Sequence, residues 1–297
     1  MVYETKIEKG IIKMNKFQSV ISDGFELNYC IKGLGRPVLV VGSSVYYPRL
    51  FSENLYKEFQ FIFLDHRGFV KPPCALEPED DILDKVLDDI ETARQALKLE
   101  DFIVLGHSGH AFMALEYAKK YPEHVQKVVL LNSAPTNSPE RQQQSFSFFD
   151  ENADPARKRQ FEQDIALLES DIKQDPERRF VHMCIRMGAH SFYDYTFDAV
   201  YMWNGVYTNM PIIDYLWGNT FGKLNMIQSL ASFDKPVFIG LGRYDYLVAP
   251  VSLWDSIDNT DGGKVKKVVF ERSGHNPMFE EPHSFDTQLI EWINEGK

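Results

Sequence analysis

The chain has 297 residues, of which 44% are hydrophobic, 25% charged and 13% aromatic, a composition that excludes a disordered or collagen-like polymer and supplies core for one large domain. A formal net charge of −11 disfavours nucleic acid and acidic lipid surfaces as partners. Three widely spaced cysteines, Cys30, Cys74 and Cys184, carry no CxxC or Cys/His spacing, which argues against a disulfide framework and against a metal site.

The first 16 residues have no apolar core of signal-peptide length, and no segment approaches the roughly 18 apolar residues of a membrane span. A cytoplasmic protein is expected. Phe17 to Ile21 and Phe25 to Ile31 flank Asp23-Gly24, a dipeptide suited to a tight hairpin. Pro37 to Val41 and Phe61 to Leu64 read as strands buried on both faces. From Asp81 to Leu99 the period changes, with Ile82, Val86, Leu87, Ile90, Ala93 and Leu97 at three- and four-residue steps, the signature of an amphipathic helix. Phe102 to Leu105 follows as a strand, Ala111 to Lys120 as a helix stopped by Tyr121-Pro122, and Val128 to Leu131 as a further strand. After a break the alternation resumes with strand Pro236 to Leu241, a helix near Val251 to Ile257, strand Val265 to Phe270 and a closing helix Ser284 to Ile293. This order predicts an α/β fold built on a mostly parallel sheet with helices on both faces.

The stretch 136–230 lacks β-branched runs. It opens polar and charged from Glu140 to Arg159, becomes helical from Phe161 to Leu168, and is about one-third aromatic from Phe192 to Phe221. It reads as a mainly helical insertion into a core formed by 1–135 and 231–297.

Ser108 is the centre of the chemical reading. It lies between a buried strand and a helix in Gly106-His107-Ser108-Gly109-His110. A serine on such a sharp turn lifts its hydroxyl above the carboxyl end of the sheet and presents the next N–H, that of Gly109, toward a developing oxyanion. A serine needs a base, and His275 is placed for it directly after strand Val265 to Phe270. The base needs a carboxylate, and Asp245 follows strand Pro236 to Leu241. Each of the three stands beyond a different buried strand, where open parallel sheets build their sites.

Gly106-His-Ser, Gly242-Arg-Tyr-Asp245, Ser273-Gly-His-Asn-Pro277, Asp65-His-Arg-Gly68 and the helix Ala114 to Pro122 together resemble the α/β-hydrolase family over essentially the whole chain. The resemblance implies an eight-stranded sheet, an acyl-enzyme mechanism on Ser108, Asp245 and His275, and no cofactor. Two departures stand out. Members usually carry Gly two positions after the nucleophile, where this chain has His110, a residue that could reach the pocket. They also usually carry His-Gly where this chain reads Gly42-Ser43-Ser44. Aligning from Pro37 puts Ser44 at the second oxyanion N–H, with Ser43 the alternative. Arg67 of Asp65-His-Arg-Gly68 is expected in an ion pair within a structural turn.

The insertion would sit as a lid over Ser108, with aromatic residues such as Tyr195 and Trp203 lining an apolar pocket. A small carboxylic ester or amide is the first substrate expectation. The second is a short peptide with a free amino terminus, because Ser273 to Glu280 and an acidic lid are similar to the proline iminopeptidase-like branch, where lid carboxylates hold the amine; Asp194, Asp198 and Asp214 are available. A ligand receptor that keeps the fold is the alternative from another class.

Overall fold

Eight β-branched and aromatic runs pair into one sheet. In the computed structural model, which describes residues 18–74, 82–257 and 264–295, the strands are β1 (Gln18–Ser22), β2 (Phe25–Lys32), β3 (Arg36–Gly42), β4 (Phe59–Asp65), β5 (Phe102–His107), β6 (Val125–Leu131), β7 (Val237–Gly242) and β8 (Val265–Phe270). Their order is β1-β2-β4-β3-β5-β6-β7-β8. β1 pairs antiparallel with β2, and β2 with β4. From β4 onward every pair is parallel. The expected hairpin forms, with Asp23 and Gly24 both at positive φ, 48° and 78°, as a two-residue hairpin turn demands. Phe17 and Asp81, the expected starts of the first strand and of the amphipathic helix, lie outside the described residues.

Helices run in chain order as α1 (Leu55–Glu58), α2 (Ile82–Leu97), α3 (His110–Lys120), α4 (Pro139–Asn152), α5 (Pro155–Ile165), α6 (Leu168–Gln174), α7 (Arg179–Arg186), α8 (Gly188–Ser191), α9 (Met210–Tyr215), α10 (Met226–Ala231), α11 (Pro277–Glu280) and α12 (Pro282–Asn294). Period-2 alternation sends the strand side chains to two separate cores. Leu39 and Val41 join Val86, Ile90, Ala111 and Leu115 of α2 and α3 on one face. Val38 and Val40 join Leu55, Phe285, Leu289 and Trp292 of α1 and α12 on the other. Helices therefore cover both faces. Among the described residues no helix is long and apolar enough to cross a membrane.

Helices α4 to α10 all lie between β6 and β7. The polar stretch Glu140 to Arg159, read only as a charged opening, is itself helical. Its local signals are strong: Ser138 caps α4 by accepting the Arg141 N–H, Asp154 caps α5 by accepting from Ala156 and Arg157, and Pro139 and Pro155 occupy the first turns, where a missing N–H costs nothing. The helix expected near Val251 to Ile257 is a single 3-10 turn, Val251–Trp254.

The topology fixes where a site can form. From β3 the chain steps to β4 on one side, whereas β5 lies against β3 on the other. The strand order reverses there, leaving a crevice at the carboxyl ends of β3 and β5. Ser43 follows β3 and Ser108 follows β5.

Candidate active site

Ser108 has φ +58°, a conformation that strains a non-glycine residue and is sustained only by the surrounding structure. Its N–H is tied to Leu131 O at 2.8 Å, anchoring the turn to β6. The turn is tight enough that a Cβ on Gly106 would sit 2.2 Å from His110 O and 2.7 Å from the Ala111 Cα. Gly106 thus permits the helix to start immediately over the strand.

The acid and base meet two and three strands further along the sheet, after β7 and β8. Asp245 accepts from His275 Nδ1 at 2.7 Å and from Asn132 Nδ2 at 2.9 Å on Oδ2, while Oδ1 accepts the Leu247 N–H at 3.1 Å. Three donors satisfy a carboxylate that is only 5% exposed. Because Nδ1 of His275 donates to Asp245, the neutral ring has Nε2 as its basic nitrogen. The two loops that carry these residues touch through backbone: a Cβ on Gly242 would lie 1.8 Å from Gly274 O. His275 N–H donates to Ser191 O at 2.5 Å, and Glu280 accepts from the Gly274, Asn276 and Tyr193 N–H groups. Burial pushes the Glu280 carboxyl up to about 7.

Ser108, Gly109 and His275 line one cavity of about 230 Å³. Aromatic residues recur around its wall, among them Tyr46, Phe69, Phe180, Trp203 and Trp217. His110 and Trp203 line it as expected, but Tyr195 does not. Tyr195 instead lies over the Arg157 guanidinium, 5.0 Å from ring centroid to carbon. Arg157 is buried and donates to Ala189 O, Phe192 O and Tyr193 O, so Tyr195 belongs to the brace that holds the segment against the His275 loop. Asp194, Asp198 and Asp214 are likewise away from the cavity. The first two accept hydrogen bonds within their own turns from Thr196 and Val200, and Asp214 pairs with Arg179.

The second oxyanion position also needs correcting. Ser44 N–H donates to Asp65 Oδ1 at 2.5 Å, so that donor is spent, and Ser44 does not line the cavity. Ser43 does. Among the described residues neither Ser43 N–H nor Gly109 N–H has an acceptor, which leaves both available to a ligand oxygen. Asp65 carries the cost of this arrangement: burial pushes its carboxyl up to about 7. Arg67 forms the expected ion pair, bidentate to Asp89 at 2.6 and 2.8 Å.

Beneath Ser108 runs a buried chain whose protons can all be placed. Gly68 N–H donates to His66 Nδ1, so the neutral His66 ring carries its proton on Nε2 and donates to His110 Nε2 at 3.2 Å. His110 must then carry its proton on Nδ1, which meets Tyr47 Oη at 2.8 Å. Tyr47 O–H is left to donate to His107 Nδ1 at 3.3 Å. His107 Nε2–H closes the chain on the carbonyl of His275 at 2.7 Å. Burial holds all three rings neutral, His66 and His107 well below the usual histidine range and His110 at about 3. The His110 that replaces the usual Gly is therefore accommodated by His66 and Tyr47, and the chain ends on the backbone of His275. Among the described residues no cluster of three or more His, Cys, Asp or Glu could hold a metal ion.

Several of these roles escaped the sequence reading. Asn132 stands directly after the run Val128 to Leu131, the same polar-after-strand signal that marked Ser108 and Asp245. His107 and Glu280 lay inside quoted motifs without a role. Tyr47 and His66 are brought to His110 only by the tertiary fold.

A family model for the alpha/beta hydrolase fold matches residues 30–282. The chain is 59% identical over 274 residues, 92% of its own length and 97% of the relative's, to the AB hydrolase superfamily protein YclE of Bacillus subtilis. An esterase from Exiguobacterium antarcticum superposes with a TM-score of 0.63 at 21% identity, covering 95% of this chain and all of that one. A proline iminopeptidase from Mycobacterium smegmatis gives 0.68 at 16% identity, covering 94% and 98%. At those identities the two structures attest the fold alone.

Proposed function

The chain belongs to the α/β-hydrolase fold family and is a hydrolytic enzyme, and from that premise we propose that it cleaves a small carboxylic ester or amide through an acyl-enzyme on Ser108. In this reading Ser108 Oγ attacks the carbonyl carbon while His275 Nε2 takes its proton. Asp245 stabilises the imidazolium, and the oxyanion rests on the N–H groups of Gly109 and Ser43. His275 then gives the proton to the leaving group, and water repeats the sequence on the acyl-enzyme.

The observation that carries the proposal is that the ends of β5 and β8 bring Ser108 and His275 to one cavity, the serine at φ +58° and the histidine already oriented by a carboxylate at 2.7 Å. A cavity of about 230 Å³ is below the usual range for drug-sized ligands and favours a small substrate. Among the described residues no Asp or Glu lines it, so no carboxylate there meets the ammonium of a peptide, and ester or amide cleavage without a free amine is favoured over aminopeptidase action.

The test compares p-nitrophenyl acetate and butyrate with alanyl- and prolyl-p-nitroanilide. Hydrolysis of the esters, lost by about 10⁴-fold or more in Ser108→Ala, is expected. A strong preference for the free-amine anilides would reverse the substrate assignment, and unchanged turnover in Ser108→Ala would remove the nucleophile.

A further inference from the structure

Among the described residues four arginines are buried, namely Arg67, Arg94, Arg141 and Arg157. Three of them have a carboxylate. Arg67 is bidentate to Asp89, Arg94 pairs with Glu91 at 2.9 Å, and Arg157 has Asp154 at 3.8 Å and three tyrosine rings around it. Arg141 has no ion-pair partner among the described residues. It is 7% exposed, and every group it touches is neutral: Thr136 O, Ser145 Oγ, Leu247 O and Asn137 Oδ1. The charge of Asp245 reaches it through space, but that carboxylate is already engaged by His275, Asn132 and Leu247.

A guanidinium offers five N–H donors. Arg141 spends one from Nε, two from Nη1 and one from Nη2, which leaves one Nη2 N–H without an acceptor among the described residues. Arg141 also differs from the other three in its position, since it lines the cavity that holds Ser108 and His275. The rest of that wall is aromatic, aliphatic or neutral polar, with no Lys, Asp or Glu among the described residues. A buried cation without a counter-ion is costly, and it is relieved when an anion with good geometry arrives. We propose that Arg141 is the anion subsite of the cavity and that the substrate is an otherwise apolar ester or amide bearing a carboxylate in addition to its scissile carbonyl. This rests on the hydrolase reading above and deepens it.

The neutral contacts matter to the test, because Arg141 also braces the turn after Asp245 through Leu247 O. A loss of activity alone would fit a brace. The discriminating quantity is the ratio of kcat/KM for matched substrates that differ only in the carboxylate: p-nitrophenyl hydrogen glutarate against p-nitrophenyl pentanoate, and 4-carboxyphenyl butyrate against phenyl butyrate, so that both the acyl and leaving halves are sampled. A charge-assisted contact predicts a preference of about 10- to 100-fold for the charged member of at least one pair. Arg141→Gln should bring that ratio near one, whatever it does to the rate on the neutral ester, and Arg141→Lys should keep part of it. A wild-type ratio near or below one in both pairs overturns the subsite, even if the variants fail to fold. So does a ratio that Arg141→Gln leaves unchanged. If the wild-type protein cleaves none of the four, the hydrolase reading fails first. Calorimetric binding of monomethyl glutarate against methyl pentanoate then decides the subsite separately, with equal or absent binding of the two counting against it.

Discussion

Replacing Asn132 by Gly isolates one link in the chain of support behind His275. The Asn132 amide donates to Asp245 Oδ2 and to Gly274 O, both at 2.9 Å, and so ties the acid to the loop of the base. The backbone there has φ +45°, which Gly adopts without strain, so the substitution removes the side chain and little else. Asp245 keeps two of its three donors. A hydrogen bond to a charged group contributes about 1.5–3 kcal/mol, equivalent to about 10- to 100-fold in kcat/KM where the lost contact acts on the transition state. The assay is kcat/KM on p-nitrophenyl butyrate for wild type, Asn132→Gly and Asn132→Asp, with melting temperatures alongside. Asn132→Asp should be worse than Gly, because it sets a second carboxylate against Asp245 where the amide had donated to it. An Asn132→Gly enzyme within twofold of wild type, at unchanged melting temperature, would refute the claim that this amide holds the site together.

Two further outcomes follow from the same geometry. Gly106→Ala would drive a methyl group to 2.2 Å from His110 O, a backbone atom that cannot step aside. It is expected to cost about 3 kcal/mol and to abolish ester cleavage, which denaturant unfolding and turnover measure together. The second concerns pH. Asp65 is pushed up to about 7 by burial, above its value in the unfolded chain, so the folded state binds the proton more tightly. Its contribution to stability is complete below pH about 4 and is lost as pH rises through about 7. Asp65→Asn, which still accepts from Ser44 N–H, should lose less stability than wild type between pH 5 and pH 7 in denaturant unfolding. An equal loss would contradict the assignment.

The sheet was legible because its signals are local. Buried strands announce themselves as β-branched runs, and Asp23-Gly24 sets the hairpin by backbone preference alone. Ser108, Asp245 and His275 were legible because each stands just past such a run, and a parallel sheet gathers those ends on one edge. Asn132 obeys the same rule and could have been found by it. The rest depended on partners distant in sequence. Whether Ser43 or Ser44 offers its N–H is decided by Asp65, 21 residues away from Ser44. Tyr195 was expected at the cavity from composition alone, but which aromatic residues face the cavity depends on how the helical insertion folds back, and Arg157 claims that ring. Arg141 looked like one charge in a polar stretch. Its meaning comes only from the burial that α4 imposes and from the carboxylate it lacks.

The central claim is that Ser108 is a hydroxyl made reactive by His275. A fluorophosphonate probe followed by intact mass and peptide mapping tests it directly. One adduct per chain on the peptide containing Ser108 is expected, absent in Ser108→Ala and slowed by orders of magnitude in His275→Ala. Labelling of Ser108→Ala equal to wild type, an adduct mapped to another residue, or a rate indifferent to His275 would contradict it.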